Sequence, residues 1–169
     1  CRIPLVTTVH GRQHLHRSRR IIKAFGDYVI AVCENIKEHL ARDLEIIPEH
    51  IEVLRNGINF SKTPSSVKIK GVVTIAGRLS GPKGEVIYNV LKNSIIKISS
   101  IKKIILAGKT NEPEKFSSLD KRIMMAGFVR DLRKLVSESS VLIGAGRVAV
   151  EGLSMGIPTI AVGENSSFG

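Results

Sequence analysis

From Val141 to Glu164 the chain reads VLIGAGRVAVEGLSMGIPTIAVGE, and that order of residues admits few folds. A short apolar run meets a glycine turn at Gly144 and Gly146, a helical pattern follows from about Arg147 to Met155, and a Gly-Ile-Pro break leads to a second apolar run. The two runs, VLI and PTIAV, lack the alternation of a half-wet strand. Both therefore suit a parallel sheet covered on two faces. With no Cβ on either glycine, the free N–H groups that open the helix form a landing place for an anion such as phosphate. Glu151 lies one turn beyond Arg147, too deep to cap the helix and flanked by apolar neighbours. Its carboxylate needs donors there, and the hydroxyls of a sugar would serve.

Taken alone, the unit also fits a dinucleotide-binding fold. Gly144-Ala-Gly146-Arg-Val-Ala149 matches G-x-G-x-x-A, and Glu164 lies 20 residues after Gly144, where a ribose-binding acid belongs. Composition narrows the class without choosing. In 169 residues, 43% are hydrophobic and 24% charged, an ordinary globular balance with material for a substantial core. Lysine and arginine number 26 against 15 acidic residues, a net +11, so anionic partners are favoured. Nucleic acid is not expected, because an aromatic content of 4% gives few stacking platforms. Only Cys1 and Cys33 are present, which implies no disulfide framework and points to a reducing compartment. No run approaches the roughly 18 to 20 apolar residues of a spanning helix. The expected location is the cytoplasm or the inner face of its membrane.

Read in order, Ile3 to Val9 is a strand that ends at His10-Gly11, where a parallel sheet gathers its ligands. His14 and His16 add a metal reading, discounted because no Cys, Asp or Glu lies nearby to complete the set. Arg12 to Phe25 sets five cations beside Leu15, Ile21, Ile22 and Phe25, a pattern suited to an anionic membrane surface or to a basic helix packed on the sheet. Strands are expected at 28–32 and 51–54, with a helix between them from Glu34 to Leu44. Residues 61–70, SKTPSSVKIK, form the best linker. Beyond it, strands at 72–76, 103–106 and 122–125 alternate with helices at 84–98, 111–119 and 131–137. Such alternation means a doubly wound parallel α/β sheet. Both ends look cut, and the expectation is a piece of a longer protein.

After the first strand of that second half comes Ala76-Gly77-Arg78-Leu79-Ser-Gly-Pro-Lys83-Gly84. One planar guanidinium and one ammonium across a tight turn can clamp a diphosphate. Here the chain resembles the retaining nucleotide-sugar glycosyltransferases of the GT-B type (group 1, family 4-like), which show G-R-L and then K-G in this place. Other landmarks follow in family order: Thr8-Val9-His10-Gly11, the segment from Asp27 to Ile36, Val53-Leu-Arg-Asn56-Gly57-Ile58, Leu106-Ala-Gly108, Gly127-Phe128-Val129, and Glu151 to Pro158. A dinucleotide fingerprint normally opens its domain, whereas GAGRVA follows three βα units, so the NAD-binding reading falls to second place.

The resemblance implies a Rossmann-like carboxy-terminal domain (71–169) preceded by the tail of a second Rossmann-like domain (1–60), joined by the linker at 61–70. It implies sugar transfer from a nucleotide-diphosphate donor to a polysaccharide, other saccharide or lipid acceptor, without cofactor or metal. Arg78 and Lys83 are then expected on the phosphates, Glu151 on the ribose, backbone near Phe128 and Val129 on the base, and Gly108, Gly144 and Gly146 along the donor. His10 is expected at the donor sugar. The sequence departs from the family where a first glutamate would stand eight residues before Glu151, since Ile143 is there; Arg147 or backbone N–H groups are expected to replace it. The alternatives are a non-catalytic nucleotide-sugar-binding fragment and a related sugar-nucleotide epimerase.

Overall fold

The structure is a computed structural model that describes residues 3–12, 25–58, 68–163 and 167–168. The chain divides into two compact units, Cys1–Gly57 and Ile58–Gly169.

The first unit holds a parallel three-stranded sheet in the order β1 (Val6–Val9), β2 (Tyr28–Ala31), β3 (Ile51–Val53). Helix α1 (Glu34–Asp43) covers one face. Its Ile36 and Leu40, one turn apart, are buried with Val9, Val29, Ala31 and Ile51. Strand β1 begins at Val6, three residues later than the sequence suggests. Pro4 has no N–H to give, and the Leu5 N–H goes to the Asp27 carboxylate at 2.9 Å. Pro48 opens a short 3-10 turn, Pro48–His50, before β3. Of the basic stretch from Arg12 to Phe25, residues 13–24 lie outside the described residues. Arg12 is exposed, and Phe25 packs on this core.

The second unit follows the expected alternation: β4 (Ile69–Ala76), α2 (Gly81–Asn93), β5 (Lys103–Ala107), α3 (Pro113–Ser117), β6 (Ile123–Gly127), α4 (Leu132–Val136), β7 (Ser139–Gly144), α5 (Arg147–Ser154), β8 (Thr159–Val162) and β9 (Ser167–Phe168). The strands lie in the order β6-β5-β4-β7-β8-β9. All neighbours are parallel except β9, which runs antiparallel to β8. Alternate residues of β4 serve the two faces. Val73 and Ile75 join Leu91, Leu106 and Phe116 on one side, while Ala76 joins Val136, Leu142 and Ile157 on the other. Two cores on two faces make the fold a doubly wound, Rossmann-like α/β sheet.

Three boundaries move for physical reasons. Strand β4 takes in Ile69 and Lys70, so the last two residues of the expected linker are sheet, while 61–67 lie outside the described residues. Helix α2 starts at Gly81 rather than Gly84, because Pro82 sits in the first turn, where no intrahelical N–H is needed. Strand β7 starts at Ser139 rather than Val141. Ser139 and Thr74 satisfy each other across the sheet at 2.6 Å, and the Ser140 hydroxyl donates to the Val72 carbonyl at 2.8 Å.

Candidate functional site

The chain enters the second sheet at β4, builds outward through β5 and β6, then returns to place β7 on the other side of β4. The strand order therefore reverses between β4 and β7, and a crevice opens at the carboxyl ends of such a pair. A cavity of about 180 Å³ lies there, lined by Ile75 to Arg78 at the end of β4, Lys83, Val86 and Ile87 on α2, Ile143 to Ala145 at the end of β7, and Val162 with Gly163 after β8.

The loop from β4 into α2 is held by its backbone. The Gly77 N–H donates to the Ala107 carbonyl at 2.9 Å and the Leu79 N–H to the Lys109 carbonyl at 3.2 Å. The Leu79 side chain is buried in the main core, and the intervening Arg78 is exposed. Gly108 makes this approach feasible: a Cβ there would lie 1.8 Å from the Gly77 carbonyl oxygen. Gly108 is not among the residues that line the cavity; it seats the loop that carries Arg78.

Among the described residues Arg78 and Lys83 are the cations of the cavity, and no described acid lines it. Neither makes a hydrogen bond or ion pair to a described residue. Lys83 stands in the first turn of α2, where the positive end of the helix dipole disfavours it. That turn holds no acidic residue, and the Ser80 side chain makes no capping bond. Helix α5 also starts beside the cavity without a side-chain cap. Its first residue is preceded by Gly146 at φ +56°, a conformation that glycine adopts at little cost. Two helix starts without a side-chain cap and two cations with no partner among the described residues leave positive potential for an anion to neutralise. By contrast Asp131, away from the lining, caps α4 by accepting the Arg133 N–H at 3.2 Å.

Glu151 and Arg147 do not line this cavity. The donor that the Glu151 carboxylate requires comes from its own helix, from Arg147 Nε at 2.7 Å; the two side chains are 22% and 75% exposed. The structure thus brings Arg78, Lys83 and Gly144 together and leaves Arg147, Glu151 and Gly146 outside the lining. Phe128 is 65% exposed, with Lys109 Nζ 5.2 Å from its ring centroid, and Val129 packs into the second core. His10 is exposed just past β1 in the first unit. Sequence reading missed Val86 and Ile87, although three- and four-residue spacing from Lys83 puts them on one helix face. It also missed Lys109, whose partner ring lies on the neighbouring strand's loop. Gly152 proves tightly packed, since a Cβ would come 2.4 Å from Leu142 Cδ2. Among the described residues no three His, Cys, Asp or Glu side chains are grouped to hold a metal, and no helix is long and apolar enough to cross a membrane.

The family model described as Glycosyltransferase Family 4 matches residues 1–62. No curated protein matches the chain in sequence. Among solved structures, a glycosyltransferase from Rickettsia africae is similar with a TM-score of 0.69 and 22% identity, over 92% of this chain and 50% of its own. HepE of Anabaena, solved in complex with UDP-glucose, gives a TM-score of 0.72 and 20% identity over 94% of this chain and 53% of its own. The pneumococcal O-GlcNAc transferase GtfA, solved with UDP and GlcNAc, gives 0.67 and 13% over 90% and 36%. The chain thus spans about half the length of these structures or less. At such identities the likeness is one of fold: that of the GT-B glycosyltransferases.

Proposed function

We propose that the second unit binds the nucleotide-sugar donor of a glycosyltransferase, and that the first unit belongs to the acceptor side. The observation that carries this reading is the cavity at the β4–β7 strand reversal, where, among the described residues, two cations without partners and no acid line the wall. The family model over 1–62 and the fold shared with UDP-bound transferases support it. Uridine is the first base to test, because HepE and GtfA were solved with UDP.

In the reaction the bond from the anomeric carbon to the β-phosphate oxygen breaks, and its electron pair leaves with the nucleoside diphosphate. The acceptor hydroxyl forms the new glycosidic bond and releases its proton. Arg78, Lys83 and the free N–H groups opening α2 stabilise the charge that builds on the leaving diphosphate. The apolar floor of Ile75, Ile87 and Ile143 strengthens those interactions by excluding water. Retention at the anomeric carbon and a saccharide or lipid acceptor belong to the same proposal. So does ribose contact by Glu151, with Arg147 orienting the carboxylate.

Calorimetric titration with UDP tests the clamp. Arg78→Ala and Lys83→Ala are each expected to weaken binding at least tenfold, since a hydrogen bond to a charged group is worth about 1.5–3 kcal/mol. The melting temperature should stay unchanged. Unaltered UDP affinity in both variants would sink the reading.

A further inference from the structure

Opposite the cavity, where β4, β5 and β6 begin, the second unit carries another strongly basic surface. Lys68 and Lys70 at the start of β4, Lys97 in the turn after α2, Lys102 and Lys103 at the start of β5, and Lys121 before β6 are all exposed. The backbone gathers them. The Lys102 N–H donates to the Gly71 carbonyl at 2.8 Å. Arg122, next to Lys121, donates to the carbonyls of Ile98 at 3.0 Å and Ile101 at 2.8 Å, beside Lys97 and Lys102. Asp120 is already paired with Arg122 at 2.8 Å, and the exposed Glu138 adjoins this group through its backbone carbonyl, which accepts the Ile69 N–H. Six lysines against one carboxylate give a local charge of 6 − 1 = +5.

Charge alone would suit any polyanion, but the surface is not only charged. Ile69 is 46% exposed between Lys68 and Lys70, and Ile98 is 44% exposed beside Lys97. A soluble polyanion would leave these side chains in water. A bilayer takes both: headgroup phosphates meet the ammonium groups, and apolar side chains reach the boundary of the acyl region.

We propose that this end of the sheet docks the protein on an anionic lipid bilayer, through lysines and isoleucines distinct from the basic stretch at 12–25. Co-sedimentation of the full chain with phosphatidylglycerol/phosphatidylcholine vesicles, against phosphatidylcholine alone, tests it. Binding should need the anionic lipid. The double variant Lys102→Glu/Lys103→Glu should lose at least tenfold in partition, since one lysine near an anionic surface contributes roughly a factor of five, with circular dichroism and melting temperature unchanged. Ile98→Ser should weaken vesicle binding several-fold and leave elution from heparin unchanged. Vesicle binding that survives the double reversal, absence of binding by the parent protein, or an Ile98→Ser variant that partitions like the parent would each overturn the proposal.

Discussion

Arg78 and Arg122 stand at opposite ends of one parallel sheet and are used in opposite ways. Arg122 precedes β6, and all five of its N–H groups are engaged. Nε and one NH2 hydrogen reach Asp120 at 2.9 and 2.8 Å, NH1 bonds the carbonyls of Ile98 and Ile101, and the last NH2 hydrogen bonds that of Ile96. These carbonyls close the turns after α2, so this arginine fastens the chain before β5 and β6. Arg78 follows β4 and bonds no described residue. A cation with every donor engaged contributes stability and can offer nothing to a ligand. One held out by a buried neighbour, as Arg78 is by Leu79, contributes little stability and keeps its fork free. The amino ends of these strands are fastened and the carboxyl ends are left open, as the ligand sites of doubly wound sheets require.

The largest effect is expected where the open end depends on the fastened interior. Gly108→Ala would drive a Cβ to 1.8 Å from the Gly77 carbonyl oxygen, against backbone that two hydrogen bonds hold in place. A loss of about 3 kcal/mol, at the upper end of overpacking costs, is expected in urea unfolding. UDP affinity should fall with it, because the same loop carries Arg78. A Gly108→Ala protein as stable as the parent would show that the loop is not seated as described.

The two arginines should next separate cleanly. Arg78→Met is expected to weaken UDP binding about tenfold or more with no change in melting temperature. Arg122→Met should lower the melting temperature and leave UDP affinity alone, since it strands the carbonyls of Ile96, Ile98 and Ile101. If either variant moves both readouts, the division between the two ends fails. The Arg122 guanidinium, then its backbone N–H, lowers the Asp120 carboxyl from 3.8 to about 2. This group ionises more readily folded than unfolded, so its contribution is complete above about pH 4 and disappears as pH falls towards 2. Acid unfolding followed by circular dichroism should show that loss in the parent protein and a flatter profile over the same window in Arg122→Met.

The sequence made one end far more legible than the other. Apolar-rich stretches within 72–76 and 103–106 give β4 and β5, and the spacing of Arg78 and Lys83 around a Gly-Pro pair brings both cations to one cavity, because these signals are local. The Arg122 fan is invisible to such reading, since its carbonyl partners lie 21 to 26 residues away. The start of β7 was hidden for the same reason: Ser139 reads as a turn residue until Thr74, 65 residues distant, supplies its partner. Glu151 is a different case. Its bond to Arg147 at i−4 follows from helix geometry and is legible in the spacing alone.

The smallest stability change carries the sharpest test. Lys83 breaks a local rule, because a cation in the first turn of α2 opposes the helix dipole and no acid there offsets it. A residue kept only for the fold would improve on replacement by an acid. Lys83→Glu is therefore expected to raise stability by about 0.3–1 kcal/mol in urea titration, while UDP binding becomes undetectable as a carboxylate faces the diphosphate. Gain in one readout with loss in the other marks a position whose local strain is tolerated for its ligand. Were Lys83→Glu destabilising, the ammonium would have an interior partner, and Lys83 would stand with Arg122 among the fasteners rather than with Arg78.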